Sequence, residues 1–166
     1  MTESPVSFAA PPSAAGHRRL LTLLFVDLSG STAMAEWMEA EHYAAMLAGL
    51  RELYERIVPH HGGVIARIQG DGMLAVFGHP EVREDDGRRA TEAALELHAA
   101  VRGLLPPGPR PAGFSGLTLH SGVHAGIVLV NEGDQMRGRL ELLGNAPNIA
   151  ARLCESAKAD GIIASE

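Results

Sequence analysis

A single cysteine, Cys154, is the chain's whole supply of thiol chemistry, so no internal disulfide framework can form and a reducing compartment suits it. Long apolar runs are missing too. The longest are strand-sized, far short of the roughly 20 residues that a spanning helix requires. Nor is there an excess of positive charge. Fourteen Lys and Arg against 20 Asp and Glu leave a net charge of −6, which argues against wholesale nucleic-acid binding. The opening Met1-Thr2-Glu3-Ser4-Pro5-Val6-Ser7 has neither a basic n-region nor an apolar h-region, so no signal peptide is expected. These absences leave a cytoplasmic chain without membrane or nucleic-acid partners as the expectation. Its 166 residues suffice for one domain with a sizeable core.

Residues 1–17 are rich in Pro, Ala and Ser without periodicity, which reads as a disordered arm ahead of a domain at 18–166. The apolar run 20–26 is strand-like and halts at Asp27-Leu28-Ser29-Gly30-Ser31-Thr32. A helical pattern follows, with Tyr43, Met46, Leu50, Leu53 and Ile57 spaced by threes and fours, and Pro59 and Gly62-Gly63 close it. Runs 64–68 and 73–77, joined through Asp71-Gly72, predict a hairpin. Helical spacing returns from Arg83 to Leu104, on a stripe of Ala90, Ala93, Leu97, Ala100 and Leu104, before a Pro/Gly loop at 106–115. Strands are predicted at 117–123, 126–131 and 138–143, then a helix near 147–157 and a strand start at Ile162-Ile163. This order predicts an α+β sandwich, helices on one face of a mainly antiparallel sheet.

Three polar blocks carry chemistry. Asp27 ends a strand and opens a Gly/Ser/Thr turn into a helix, whose N-terminal amides suit phosphate; equally, Ser29 or Ser31 serves there as a plain N-cap. Asp71 lies in a Gly-Asp-Gly turn, a preferred hairpin turn in its own right. If the two carboxylates converge, they are the minimal equipment for holding Mg²⁺ against a nucleotide triphosphate. In the third block, Pro147 suits a first helical turn, and Asn148 and Arg152, four apart, share one face. Aimed together, their amide and guanidinium suit charge building on a phosphoryl group; otherwise they form an exposed polar stripe.

Taken together and in this order, the blocks 25–32, 67–78 and 141–153 resemble the class III nucleotidyl cyclase catalytic domain, the adenylate/guanylate cyclase family. His124-Ala125-Gly126 and the acidic Glu84-Asp85-Asp86 are similar to further motifs of that family. The resemblance covers roughly residues 20–166. It implies a ferredoxin-like, palm-type α+β fold working as a head-to-tail homodimer with sites at the interface. Asp27 and Asp71 would be the metal aspartates, with the Leu28 carbonyl a further ligand, for two Mg²⁺ or Mn²⁺ per site. Asn148 and Arg152 would act from the other subunit. Gly30, Ser31 and Thr32 would meet phosphate, while Arg67 and Glu141 fall at base-reading positions. The implied reaction is ATP to 3′,5′-cyclic AMP and pyrophosphate. The alternative is a non-catalytic cyclase-like module that binds nucleotide or dimerises and regulates a fused or partner domain.

Departures from the family pattern concern selectivity. Arg67 stands where adenylate cyclases usually have lysine, Glu141 where they have aspartate or threonine, and His120 where an arginine often binds triphosphate. Glu141 as acceptor and Arg67 as donor match adenine rather than guanine. After 161–165 the family continues with a helix and strands, so the resemblance implies an incomplete catalytic domain from a longer parent chain with regulatory domains. A diguanylate cyclase is excluded by the lack of its Gly-Gly-Asp/Glu-Glu-Phe turn. Other polar features read as bland. His120 and His124 are about 13 Å apart along a strand, too far to share one metal. His60-His61 ends a helix, Cys154 is buried and inert, Trp37 and Tyr43 are core or dimer contacts, and Arg137, Gly138 and Arg139 form a solvated loop.

Overall fold

The structure, a computed structural model, describes residues 16–131 and 140–165. Its centre is β1 (His17–Leu28), antiparallel to β3 (Gly72–Phe77) on one side and to β4 (Leu119–Asn131) on the other. β2 (Val64–Gln69) extends the sheet beyond β3, while β5 (Glu141–Leu143) and β6 (Ile162–Ala164) both pair with β4, β6 in parallel. The helices are α1 (Ser31–Trp37), α2 (Ala40–His60), α3 (Asp86–Val101) and α4 (Ala146–Ser156). Among the described residues no helix is long and apolar enough to cross a membrane.

Strand alternation in β1 divides the interior into two cores. Leu24, Val26 and Leu28 face α2 and α3, meeting Met46, Leu50, Tyr54, Ala90, Ala93 and Leu97. Leu21 and Leu23 face the other way, where Ala66, Leu74, Val76 and Val128 complete a second core under Ala146 and Ala150 of α4. The expected single layer of helices is therefore refined: α4 alone covers part of the opposite face. Asp27 is in phase with Leu21 and Leu23 and so lies on the α4 face.

α2 ends as its glycines predict. Gly62, at φ 74, donates to Pro59 O and Gly63 to Val58 O, the paired bonds of a Schellman cap, and Pro59 is tolerated inside the last turn. Its buried stripe is Met46, Leu50, Tyr54, Ile57 and Val58, so Tyr54 sits at the centre and Tyr43 and Leu53 at the margin. Two strands predicted at 117–123 and 126–131 are one continuous strand, β4. The small residues read as a break are a landing surface for α4. A methyl on Gly122 would lie 2.2 Å from Ala150 O and 2.5 Å from Cys154 N, and one on Gly126 2.8 Å from Ala146 Cβ. Of the strand predicted at 138–143, Glu141–Leu143 is observed; Arg137, Gly138 and Arg139 lie outside the described residues, as does most of the predicted arm. Trp37 packs edge-on against Phe114, as a core contact should.

Because the atoms that crowd Gly122 are main chain, they cannot swing aside. Gly122→Ala should lower unfolding free energy by the ~1–3 kcal/mol of an overpacked core or more. Gly87→Ala, in α3 with nothing within 4 Å of the new methyl, should be neutral or stabilising by up to about 1 kcal/mol. Urea unfolding of the two variants measures both, and equal stabilities would contradict the close seating of α4.

Candidate active site

Asp27 and Asp71 arrive at one point from different elements. Val26 pairs with Met73, which brings the β2–β3 turn level with the end of β1. The turn itself is Gly70-Asp71, since Gln69 already pairs with Gly72; Gly70 takes φ 61, a conformation that suits glycine at the first position of a two-residue hairpin. The main-chain N–H of Leu28 then donates to both carboxylates, to Asp27 Oδ1 at 3.1 Å and to Asp71 Oδ2 at 3.2 Å. Convergence, the condition set by the sequence, is met.

Such closeness has an electrostatic consequence. Asp27 is pushed up to about 7, first by burial and next by the hydrogen bond and charge of Asp71, with Glu155 of α4 adding to it and the Leu28 amide opposing. A carboxyl held partly protonated beside a second carboxylate is a place where a cation would stabilise the ionised pair. Two carboxylates and adjacent carbonyl oxygens are hard donors, which fits Mg²⁺ or Mn²⁺. Among the described residues no three His, Cys, Asp or Glu side chains form a metal cage, so the remaining coordination would fall to backbone oxygen, water and phosphate.

The other predicted residues spread over the α4 face. A cavity of about 240 Å³ is lined by Asp27, Asp71, Gln69 and Phe25 together with Arg67; a second, of about 480 Å³, is lined by Arg67, Leu74, Glu141, Leu142 and Pro147. Arg67 thus borders both. It does so because a β-bulge between Ile65 and Arg67 breaks the alternation of β2. Ile65 and Ile68 both join the α2/α3 core, leaving Ala66 and Arg67 together on the α4 face. Asn131 Nδ2 donates to Glu141 Oε2 at 3.0 Å across the β4–β5 pair, which fixes one carboxylate oxygen and leaves the other as an acceptor.

Asn148 and Arg152 are exposed on one face of α4, and among the described residues neither side chain has a hydrogen-bond or ion-pair partner. The structure does not bring them to Asp27; the α4 charge acting there is the anion Glu155. Gly30, Ser31 and Thr32 follow Leu28 after Ser29. Gly30, left-handed at φ 73, is the N-cap of α1, and no side chain caps that helix, so neither serine plays the capping part.

Two features went beyond the sequence reading. His120 pairs with Asp27 across β1 and β4, placing Nε2 4.0 Å from Asp27 Oδ2; it and His124 do not share a site, since His124 Nδ1 bonds Ser165 Oγ at 2.7 Å. The replacement of an arginine at 120 was the available signal. Behind the sheet, His98 joins Ser121 Oγ at 2.8 Å and Asp160 Oδ1 at 3.3 Å, the connectivity of a nucleophilic triad. Ser121 has no exposed surface, so this cluster, with Arg102 on Asp160, is a fastener for the approach to β6. Cys154 is as inert as expected: burial and nearby carboxylates push its thiol up to about 12.

The raised Asp27 value sets a pH dependence. Below about pH 4 this carboxyl is protonated in folded and unfolded chains alike. Between there and about 7 the unfolded group ionises while the folded one resists, so the stability it contributes is lost as pH rises. Without divalent cations, the melting temperature of Asp27→Asn should gain on that of the native chain between pH 4 and 7. Parallel curves would show that Asp27 is not so perturbed.

Comparison with known proteins identifies the family and the fold. A family model described as the adenylate and guanylate cyclase catalytic domain matches residues 15–166. The uncharacterized protein Rv1319c of Mycobacterium tuberculosis is 35% identical over 148 residues, covering 89% of this chain and 26% of that protein. Adenylate cyclase 1 of Rhizobium meliloti is 26% identical, covering 84% of this chain and 21% of that one. The chain thus spans about a quarter of the length of the curated relatives it matches. Among solved structures, the adenylyl cyclase CyaB from P. aeruginosa shares the fold at a TM-score of 0.78 and 24% identity, over 91% of this chain and 79% of that one. The guanylyl cyclase Cya2 does so at 0.75 and 29% identity, over 90% and 76%. With nearly its whole length matched, its α+β architecture shared and its two aspartates convergent, the chain belongs to the adenylate and guanylate cyclase catalytic domain family.

Proposed function

We propose that the chain is an adenylate cyclase domain, converting ATP to 3′,5′-cyclic AMP and pyrophosphate at sites shared between two copies of itself. The observation that carries this reading is the meeting of Asp27 and Asp71 on the Leu28 amide, beside a cavity that Arg67 and Glu141 both line. In this reading Asp27, Asp71 and the Leu28 carbonyl hold two divalent cations. When bound, these would supply Lewis-acid activation of the ribose 3′-hydroxyl and neutralise charge on the leaving pyrophosphate.

The chain's own groups do the rest. The 3′-hydroxyl gives up its proton to water as its oxygen forms a bond to the α-phosphorus and the bond from phosphorus to the pyrophosphate oxygen breaks. Arg152 meets the charge that develops on the α-phosphoryl group, and Asn148 orients the ribose. Their exposure, and the anionic character of what α4 offers Asp27 in its own chain, support a role toward a partner's carboxylates in a head-to-tail dimer. The uncapped start of α1, at Gly30, Ser31 and Thr32, offers amides to phosphate.

Base choice follows from polarity. Adenine presents a donor at N6 and an acceptor at N1; guanine reverses both. Glu141 accepts, with one oxygen steadied by Asn131, and Arg67 donates, so adenine satisfies both while guanine opposes both. An opposed buried hydrogen bond is worth about 1–3 kcal/mol. With Mn²⁺, cyclic product from ATP should therefore exceed that from GTP in kcat/KM by about tenfold or more. Equal efficiencies would remove the base assignment. Failure to turn over either nucleotide while still binding ATP would favour a non-catalytic, nucleotide-binding module.

A further inference from the structure

Among the described residues, Tyr54 is the α2 side chain that hydrogen-bonds the carboxylate turn. Tyr54 has no exposed surface, and its hydroxyl donates to the main-chain carbonyl of Asp71 at 2.8 Å, from 17 residues away in sequence. Burial, and then the charges of Asp71 and Asp27, raise this phenol well above its ordinary value, so it keeps its proton and stays a donor.

Apart from the Gln69–Gly72 pairing at its base, the turn leans on that hydroxyl and on the Leu28 amide. Gly70 is left-handed and has nothing within 4 Å of where a Cβ would stand, and Gly72 follows immediately. A glycine-flanked turn has wide conformational freedom unless something pins it. Tyr54 pins the peptide plane after Asp71, and with it the direction in which the Asp71 side chain leaves the backbone. That side chain then accepts the Leu28 amide at 3.2 Å. The ring of Tyr54 meanwhile belongs to the α2/α3 core with Leu50 and Ile57, so the pin is as rigid as the core itself.

We propose that Tyr54 is a positioning residue for the candidate metal site, its hydroxyl aiming the Gly70-Asp71-Gly72 turn so that the Asp71 carboxylate faces Asp27. This rests on reading Asp27 and Asp71 as the cation ligands. Tyr54 touches neither ion nor substrate; it acts through the Asp71 backbone. Outer partners of this kind typically change metal affinity by about 10- to 100-fold when removed.

The test uses Mn²⁺ alone, titrated into the chain without nucleotide and followed by the electron paramagnetic resonance signal of the free ion. Tyr54→Phe keeps the ring and deletes only the hydroxyl, and it should weaken Mn²⁺ binding by about tenfold or more. Ile57→Val, a core truncation on the same helix, should lower the melting temperature and leave Mn²⁺ affinity as in the native chain. Asp71→Asn should abolish the high-affinity site. If Asp71→Asn abolishes binding while Tyr54→Phe binds like the native chain, the positioning role is overturned and the ligand assignment stands. If Ile57→Val weakens Mn²⁺ as much as Tyr54→Phe, the hydroxyl has no special role. If Asp71→Asn binds normally, the ligand assignment itself falls.

Discussion

One main-chain amide holds the two carboxylates of this domain together. The N–H of Leu28 is shared by two carboxylates that would otherwise repel each other, and each owes its place to a different part of the sheet. Asp27 is placed by β1, gripped along its length by β4 and over its second half by β3. Asp71 is placed by hairpin register and by the hydroxyl of Tyr54 below. Burial first, and then this closeness, raise the proton affinity of Asp27. This rise also supports reading the pair as functional rather than structural. A carboxylate needed only for stability would be matched to a cationic side chain, as Asp86 is to Arg89 at the start of α3.

The rest of the α4 face depends on two irregularities of the sheet. The bulge in β2 turns Arg67 out of the helix-covered core and onto the face where Glu141 lies. The glycines of β4 let α4 descend so far that its backbone nearly touches the strand, which sets where Asn148 and Arg152 emerge. Both devices place side chains. The opposite face, by contrast, is conventional apolar packing among β1, α2 and α3.

Much of this was legible in the sequence, and what was not has physical reasons. Long helices with a clear 3.6 period, the hairpin and the polar blocks at strand and helix starts could be read directly, because local propensity and tertiary demand agree there. The continuity of β4 could not, since Gly122, His124, Ala125 and Gly126 interrupt its apolar run exactly where a helix needs room, and small residues also mark turns. The bulge has no local signal, because it exists only relative to β3. Tyr54 escaped because the stripe of α2, right at Met46, Leu50 and Ile57, was carried through Leu53 in place of its neighbour Tyr54. For Asn148 and Arg152 their shared exposed face was readable, but their target was not, since it is not among their contacts within the described residues.

The claim that matters most is that the carboxylate pair of one copy works with the α4 cation of another. On this claim, an Asp27→Ala chain and an Arg152→Ala chain, each inactive alone, would form heterodimers in which one of the two sites is intact. Mixing them should restore cyclic AMP formation from ATP to a substantial fraction of the native rate, because removing a transition-state charge stabiliser costs several kcal/mol, roughly, in the separate variants. Heterodimers that form but remain as inactive as their parents would contradict the shared site.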